Sequence, residues 1–485
     1  MLAFSLLEVP DLEGFRKKVD AIVEAADSFR VRAFFYGEEE VINAGKLTKE
    51  EFDRYLEYLL DDEFKRRIVL KIICEEGEAT IGQIADKAGF SRIEVLKHVN
   101  LLEYEGNVKR RGSNGNAVFT ASEGKTRSAY EKIKFIVDAG LCTGCGSCVS
   151  ACPVSAIRFA DEKPMIDEET CIGCGICNVH CPRTFLPASL LGEIVKGEPV
   201  DLEVEPLSYF RKAYTAQSAK EKIRMVCQDG GVVTALLAYL FDQNIIDCAI
   251  GVRRASEDWR PEVTLVTNID ELLETAGTKY TIAPSISALN TVKEKGLRRV
   301  AIVGVPCQIH AVRKAEIYSS ELLRSLGEPV ILIGIFCMEN FSHKALREIT
   351  ENHLGVSLED VIKFNIDKGK FFAYTKEGEE KAVPIKEIAK LARHACHYCP
   401  DLTNEFADIS VGSIGSAAGW STVLVRTQKG EKIFEEALKA GYITAEPLPE
   451  ASMKTLQKLA KGKRERNLNA LERRREERQY ATLIL

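Results

Sequence analysis

Two copies of one cysteine spacing constrain this chain more than any other feature: Cys142, Cys145, Cys148 and Cys152 precede Pro153, and Cys171, Cys174, Cys177 and Cys181 precede Pro182. In this bacterial pattern three thiolates of a tight loop reach three irons of a 4Fe-4S cubane, and the fourth cysteine of each run ligates the other cluster. Gly144, Gly146, Gly173 and Gly175 supply the tight loops. The spacing therefore predicts one centre on Cys142, Cys145, Cys148 and Cys181 and a second on Cys171, Cys174, Cys177 and Cys152. A zinc or disulfide site is the competing reading, but neither requires three residues before the last cysteine and a proline after it, in duplicate. One-electron chemistry is the consequence.

With 485 residues, 45% of them hydrophobic, the chain has material for several buried cores and roughly two to four domains. No stretch approaches the ~18 uncharged apolar residues of a membrane helix. The early Glu8, Asp11 and Glu13 replace the basic and apolar regions of a signal peptide, so a cytoplasmic location is expected. In such a reducing compartment fifteen cysteines read as metal ligands or buried apolar residues. A net charge of −6 gives no general attraction to nucleic acid.

The order of patterns predicts a mixed α/β chain. Residues 1–61 read as helices and short strands without a diagnostic motif, with Phe34, Phe35 and Tyr36 the expected buried cluster. Residues 62–122 read as a winged helix-turn-helix: Phe64, Ile68, Val69, Ile72 and Ile73 recur at helical spacing before Gly77, and Thr80 with Gln83 and Ser91 with Glu94 form capping boxes. Gly89 ends the turn between those helices. After Gly106, a hairpin turning at Asn114-Gly115 would be the wing. Ser91 to Glu105 would be the recognition helix, offering Arg92, Lys97 and His98, with Lys109, Arg110 and Arg111 at the wing. Glu94, Glu103 and Glu105 surround those few contacts, so a docking module is favoured over a redox-sensing DNA regulator. A two-cluster ferredoxin insert is expected at 138–187, and a linker with Pro187, Pro199 and Pro206 follows. A large α/β unit is expected at 208–447, with strands near Asp247 to Val252, Val300 to Val305, Val330 to Phe336 and Ile409 to Val411. The tail, 452–485, reads as a charged helix whose Arg473, Arg474, Arg475 and Arg478 form a solvated or partner-docking face.

A second cysteine set lies in the large unit. Cys307 and Cys337 each follow a predicted parallel strand, where ligand sites of open sheets gather, and Cys396 and Cys399 form a CxxC before Pro400. Taken singly, the first two could be buried structural thiols and the pair a zinc or redox site. The leftover Cys74, Cys227 and Cys248 read as buried structural thiols.

The runs Gln228-Asp229-Gly230-Gly231-Val232-Val233-Thr234, Gly277-Thr278-Lys279-Tyr280 with Ala283-Pro284, Gly304-Val305-Pro306-Cys307-Gln308, Gly334-Ile335-Phe336-Cys337, Cys396-His397-Tyr398-Cys399, Ala407 to Gly415 and Gly419-Trp420-Ser421-Thr422 follow in order. This half of the chain resembles the family of beta subunits of coenzyme F420 hydrogenases and dehydrogenases; the winged-helix region and the tail fall outside the pattern. The resemblance implies an FAD site, coenzyme F420 as substrate and a further 4Fe-4S cluster, for which Cys307, Cys337, Cys396 and Cys399 are nominated. That makes three clusters and a flavin that splits the electron pair of a hydride into single electrons. Gln228, Asp229, Gly230, Gly231 and Thr234 are expected at the flavin, where two glycines let backbone approach a phosphate or ring and a helix N-terminus faces an anion; an ordinary turn is the bland alternative. Thr278, Lys279 and Tyr280, then Gly412, Ser413 and Gly415, are further candidate contacts, and Arg253, Arg254 and Arg313 candidate partners of the acidic coenzyme. No general acid or base is expected, because hydride transfer between two such rings needs positioning and exclusion of water. The electron partner would be a catalytic polypeptide in a hetero-oligomeric complex or a soluble ferredoxin, and the competing enzyme reading is reduction of a different conjugated ring.

Overall fold

A computed structural model describes residues 12–112, 117–122, 133–198, 206–255, 257–318, 330–477 and 481–484. Its centre is an eight-stranded mixed sheet. In chain order the strands are β1 (Lys212–Ser218), β2 (Cys248–Arg254), β3 (Pro261–Val266), β4 (Val300–Gly304), β5 (Val330–Ile335), β6 (Ile409–Gly412), β7 (Ser421–Val425) and β8 (Ile443–Pro447). In space they run β8-β1-β7-β6-β5-β4-β2-β3, with the inner four parallel and both flanks antiparallel.

Both faces of the inner strands are covered, which explains their near-continuous apolar sequences. Ala301, Ile331 and Ile333 join Leu236, Leu240 and Phe434 in one core, whereas Val300, Ile302 and Leu332 join Leu289, Val292, Ile309 and Val312 in the other. That alternation is the two-residue period of a strand. A separate three-stranded antiparallel sheet, Val361–Asp367, Lys370–Thr375 and Glu380–Pro384, packs on its own core of Phe364, Phe371 and Trp259.

N-terminal to the insert, the described residues before Glu78 form helices only, not the helices and short strands expected. One of them, α1 (Lys49–Glu76), runs through the expected boundary at 61/62. Thr48 and Glu51 cap its start reciprocally and Gly77, at φ +72°, ends it. The local capping signal thus outranks the change of pattern near Phe64. Helices α2 (Ile81–Ala88) and α3 (Arg92–Glu105) begin at the two expected capping boxes, and strands Val108–Arg111 and Val118–Ala121 pair antiparallel; Asn114-Gly115 lies outside the described residues. In the expected aromatic cluster only Phe34 is buried, against Phe52 and Tyr55. Phe35 is 54% and Tyr36 74% exposed, because the short helix Phe29–Tyr36 turns a single face inward.

Helix α3 does not offer a groove-reading face. Arg92 donates to Glu193 at 3.0 Å, Lys97 pairs with Asp62, and burial drops His98 to about 3. Arg110 is held by Asn100 and Glu103, and Arg111 by Glu78. The three expected contacts are spent inside the chain.

Candidate functional site

The insert's geometry crosses its two cysteine runs. Cys152 of the first run shares a pocket with Cys171, Cys174 and Cys177 of the second. Burial raises Cys145 to about 12, with Cys181 of the second run its next strongest influence. Burial likewise raises Cys174 to about 12 and Cys181 to about 11. Thiols so placed ionise at neutral pH only beside a compensating cation, which a metal cluster supplies. Gly146 and Gly175 start the short helices Ser147–Ala151 and Ile176–His180 with φ of +87° and +71°. A side chain on Gly146 would also meet Pro284 O at 2.5 Å, because the insert presses there against the large unit.

Cys307 follows β4 at the start of helix α4 (Pro306–Ile317), and Cys337 follows β5. With Cys396 and Cys399 they line one pocket, together with Arg183, Gln308 and Lys463. Burial raises Cys307, Cys337 and Cys396, and the thiols of the set raise one another further. Among the described residues no three His, Cys, Asp or Glu side chains close on one mononuclear ion. Each sulfur of a cubane site binds a different iron, and four thiols lining one pocket match that ligand count.

Side chains remote in sequence hold this pocket. Lys463 and Asn467 stand one turn apart on helix α5 (Glu450–Glu476). Lys463 Nζ donates to Cys337 O, and Asn467 Nδ2 to Cys396 O at 3.0 Å and Cys399 O at 2.7 Å. Nearby, Arg474 is 8% exposed and donates to Tyr398 Oη and Ala139 O. The tail is therefore a clamp over the pocket at Arg474 rather than the solvated face expected there; Arg473 and Arg475 are exposed, and Arg478 lies outside the described residues. The signal was available: Leu456, Ala460, Lys463, Asn467, Leu471 and Arg474 fall on one helical stripe.

Arg183 lies between the pocket and the insert. Its guanidinium donates to Ala395 O and Tyr398 O, both at 3.0 Å, and its backbone N–H donates to Cys181 Sγ at 3.4 Å. Burial opposes its charge, but Cys399, Cys307, Cys396 and Cys181 outweigh that and raise it. The same Cys307 feels Cys145 as its strongest neighbouring thiol. The third pocket thus abuts the first run of the insert.

One segment, 278–287, runs from this pocket to the expected flavin loop. Thr278 N donates to Gln228 Oε1 at 3.4 Å, and Gln228 Nε2 donates to Phe364 O at 3.0 Å and Asn365 Oδ1 at 2.9 Å. Ile282 and Ala283 line the four-cysteine pocket, and Ile286 N donates to Cys145 O at 3.1 Å. Gln228, Thr278 and Tyr280 are thereby gathered where the large sheet meets the small one. Lys363, not singled out from sequence, joins them by donating to Gln228 O at 3.3 Å. Exposed Met225 and Val226 flank the same loop.

Several candidates have internal employment. A side chain on Gly230 would meet Ala216 O at 2.5 Å and Ser421 N at 2.7 Å, so this glycine is required by its own sheet. Gly231, at φ +70°, starts the helix Val232–Asp242 that buries Thr234. Burial raises Asp229, with Lys363 opposing. Lys279 Nζ donates to the carbonyls of Thr275, Ala276 and Gly277 at 2.8–3.0 Å. Tyr280 packs edge-on against Phe371. Gly412 ends its strand against the Phe336 ring, Ser413 follows the strand end, and Gly415 lies against Ser452 and Thr422. Of the expected coenzyme partners, Arg313 is buried against Asp408 and Glu316, and Arg253 is paired with Glu262 and Glu274. Arg254 stacks on Trp259 and donates to Val361 O. Neither Arg253 nor Arg313 is free to meet an anion, because carboxylates nearby already complete them. Cys248 is buried and Cys227 partly so, whereas Cys74 is exposed, on the outer side of α1.

An α/β unit with two thiols at strand ends and two more on the 394–399 turn, joined to a two-run cysteine insert, defines an iron–sulfur oxidoreductase. Comparison with known proteins agrees. Residues 213–290 and 297–451 match the families described as the N-terminal and C-terminal parts of the coenzyme F420 hydrogenase/dehydrogenase beta subunit, and residues 141–184 match the 4Fe-4S dicluster domain. The F component of the F(420)H(2) dehydrogenase from Methanosarcina mazei is 38% identical over 338 residues, 69% of this chain and 93% of that protein. The coenzyme F420-dependent sulfite reductase of Methanocaldococcus jannaschii is 36% identical over 73% of this chain and 54% of its own length. A chain from the F420-reducing [NiFe] hydrogenase complex of Methanosarcina barkeri superposes with TM-score 0.53 at 38% identity, covering 55% of this chain and 92% of that one. This chain belongs to the family of coenzyme F420 hydrogenase/dehydrogenase beta subunits. Residues before 141 and most of α5 lie outside the three matched regions.

Proposed function

We propose that this chain exchanges a hydride with coenzyme F420 at a bound FAD and passes the electrons singly through three 4Fe-4S clusters to a partner enzyme or carrier. When bound, a flavin trades a hydride with a deazaflavin and single electrons with cubanes. The observation that carries this reading is the continuity of segment 278–287, which touches Gln228, lines the four-cysteine pocket and bonds to Cys145 O.

Each part has residues suited to it. Cys307, Cys337, Cys396 and Cys399 would hold the cluster nearest the flavin, and Arg183 would offset its negative charge. Cys142, Cys145, Cys148 and Cys181 would hold the next, and Cys152, Cys171, Cys174 and Cys177 the last. Gln228, Asp229, Thr278, Tyr280 and Lys363 border the crevice where the ring would lie, while the N–H groups after Gly231 suit a phosphate. The 62–122 region, with its groove-reading residues engaged internally, is a docking and covering module rather than a DNA reader.

Anaerobically purified protein should contain about twelve iron atoms and one FAD, as three cubanes require. With added FAD, reduced viologen should bleach the F420 absorbance band; unchanged F420 in a fully loaded protein would reject the hydride step.

A further inference from the structure

We infer that the outer face of the helix Phe29–Tyr36 and the neighbouring loop 167–173 form the docking surface for the electron partner, and that this partner is a one-electron carrier protein with a basic rim. The inference deepens the proposed function and rests on its assignment of Cys152, Cys171, Cys174 and Cys177 to the last cluster.

That cluster site is the one furthest along the route from the crevice, and its outer edge is the half-buried run Cys171, Ile172 and Gly173. The helix Phe29–Tyr36 sits against this edge. Phe29 Cζ lies 3.7 Å from where a side chain on Gly173 would begin, and Gly37 lets Ile172 Cδ1 approach to 2.9 Å of the corresponding position. Ser28 caps the helix, whose inner face buries Arg30, Val31 and Phe34. Its outer face is also apolar: Phe29 is 54%, Phe35 54% and Tyr36 74% exposed. Phe29 and Tyr36, seven residues apart, share a stripe, and Phe35 packs edge-on against Tyr36 at 5.5 Å. A surface helix normally has one apolar stripe, and aromatic side chains exposed by half or more beside a redox site mark the centre of an interface.

The charge around the patch selects the partner. Asp167, Glu168 and Glu169 stand exposed immediately before Cys171, and Glu39 and Glu40 follow the helix on the other side. Glu38 is neutralised by Lys49. Arg32, the exposed cation on the helix, is matched by Asp27. The rim is therefore acidic, which speeds encounter with a basic surface and slows an acidic carrier such as a typical soluble ferredoxin. In the exchange itself a reduced last cluster would give one electron to the oxidised centre of the carrier, and two such transfers would carry off the electron pair of one hydride, whose proton would be released to solvent at the crevice; no proton or atom crosses the interface.

The test separates docking from the redox reading by measuring binding between oxidised proteins. The fully loaded chain is immobilised and probed with oxidised horse cytochrome c, a basic one-electron carrier, and with oxidised flavodoxin, an acidic one. Cytochrome c should bind at low salt and weaken roughly tenfold or more by 0.3 M salt, whereas flavodoxin should bind far more weakly. The variants F29S and Y36S should each weaken cytochrome c binding severalfold, and the double variant roughly tenfold or more; Leu438→Ser, an exposed apolar change elsewhere, should not. Iron content equal to wild type shows that each variant is folded and loaded. Equal binding of both carriers overturns the inference, as does indifference to F29S and Y36S. A chain that self-associates through the patch, with the same variants making it monomeric, assigns the face to a second copy and also overturns it. If docking behaves as expected while F420 is not bleached, the hydride proposal fails and the surface stands.

Discussion

The insert and the four-cysteine pocket offer the same number of thiols per site and assemble them by opposite means. In the insert, short loops turned by Gly144, Gly146, Gly173 and Gly175 set the thiols, and the long-range element is the exchange of Cys152 and Cys181 between runs. In the large unit, the ends of β4 and β5, the 394–399 turn and helix α5 must all be in place before four thiols meet. The comparison teaches that local geometry makes a site robust and readable, while a distributed site inherits the stability of the fold around it.

The largest expected effect removes one pocket and spares the others. Cys337→Ser should lower iron from about twelve to about eight atoms per chain while the two insert clusters keep their reduced EPR signals. Loss of all iron would mean that the pocket and insert assemble as one unit. The Asn467→Ala change probes the distributed support itself: two carbonyls lose their donor, so roughly 1–3 kcal/mol of local stability should go and iron should leak from this pocket first under chelator.

Arg183 sharpens the contrast next. It is a buried cation that feels thiols of both the four-cysteine pocket and the insert, so Arg183→Gln should make both neighbouring clusters harder to reduce. At an effective dielectric near 20 and separations of about 7 Å, a lost unit charge is worth about 2 kcal/mol, or on the order of 100 mV. EPR-monitored redox titration reads this directly; an unchanged midpoint would show that solvent already screens the guanidinium.

Legibility followed the same division. The eight insert cysteines were readable because their ligand geometry is encoded in spacing, and the inner strands because burial on both faces leaves an apolar run. Cys307 and Cys337 could be placed at strand ends, yet spacing alone left them open to a structural reading, and only their convergence with Cys396 and Cys399 distinguishes the two. Arg183 carried no local signature, since it acts on backbone carbonyls more than two hundred residues away; Lys463 and Asn467 lay on the helical stripe of Leu456, Ala460 and Leu471, but α5 reads as a solvated helix when scored by charge. The boundary near 61 failed because Thr48 and Glu51 start α1 upstream of the apolar periodicity. Arg253 and Arg313 failed for the opposite reason, since their basic character was visible and the carboxylates that complete them were not.

Gly230 and Lys279 take the comparison into the crevice, where expected ligand contacts and internal contacts compete for the same residue. The Gly230→Ala change places a carbon against Ala216 O and Ser421 N, so a loss of about 1–3 kcal/mol is expected in chemical denaturation even without cofactor. A variant of normal apoprotein stability and weakened flavin retention would instead give this glycine to the ligand.

The smallest effect is the most discriminating. Burial lowers the Lys279 ammonium to about 8, while a lysine in the unfolded chain titrates near 10.4. Between those values the unfolded state binds more protons, so this residue's contribution makes stability rise with pH from about 8 to 10.4 and leaves it flat below. The three carbonyls that accept from Nζ return part of the burial cost and so limit that rise. Lys279→Met should abolish that rise in denaturation curves of the apoprotein, which is the behaviour of a side chain that closes its own turn. If the slope disappears and FAD retention is unchanged, Lys279 belongs with the supports of the crevice. If FAD retention also falls tenfold or more, the ammonium leaves its carbonyls to meet the cofactor's charge, and the crevice, like the four-cysteine pocket, is completed by a long-range partner that the empty fold holds in reserve.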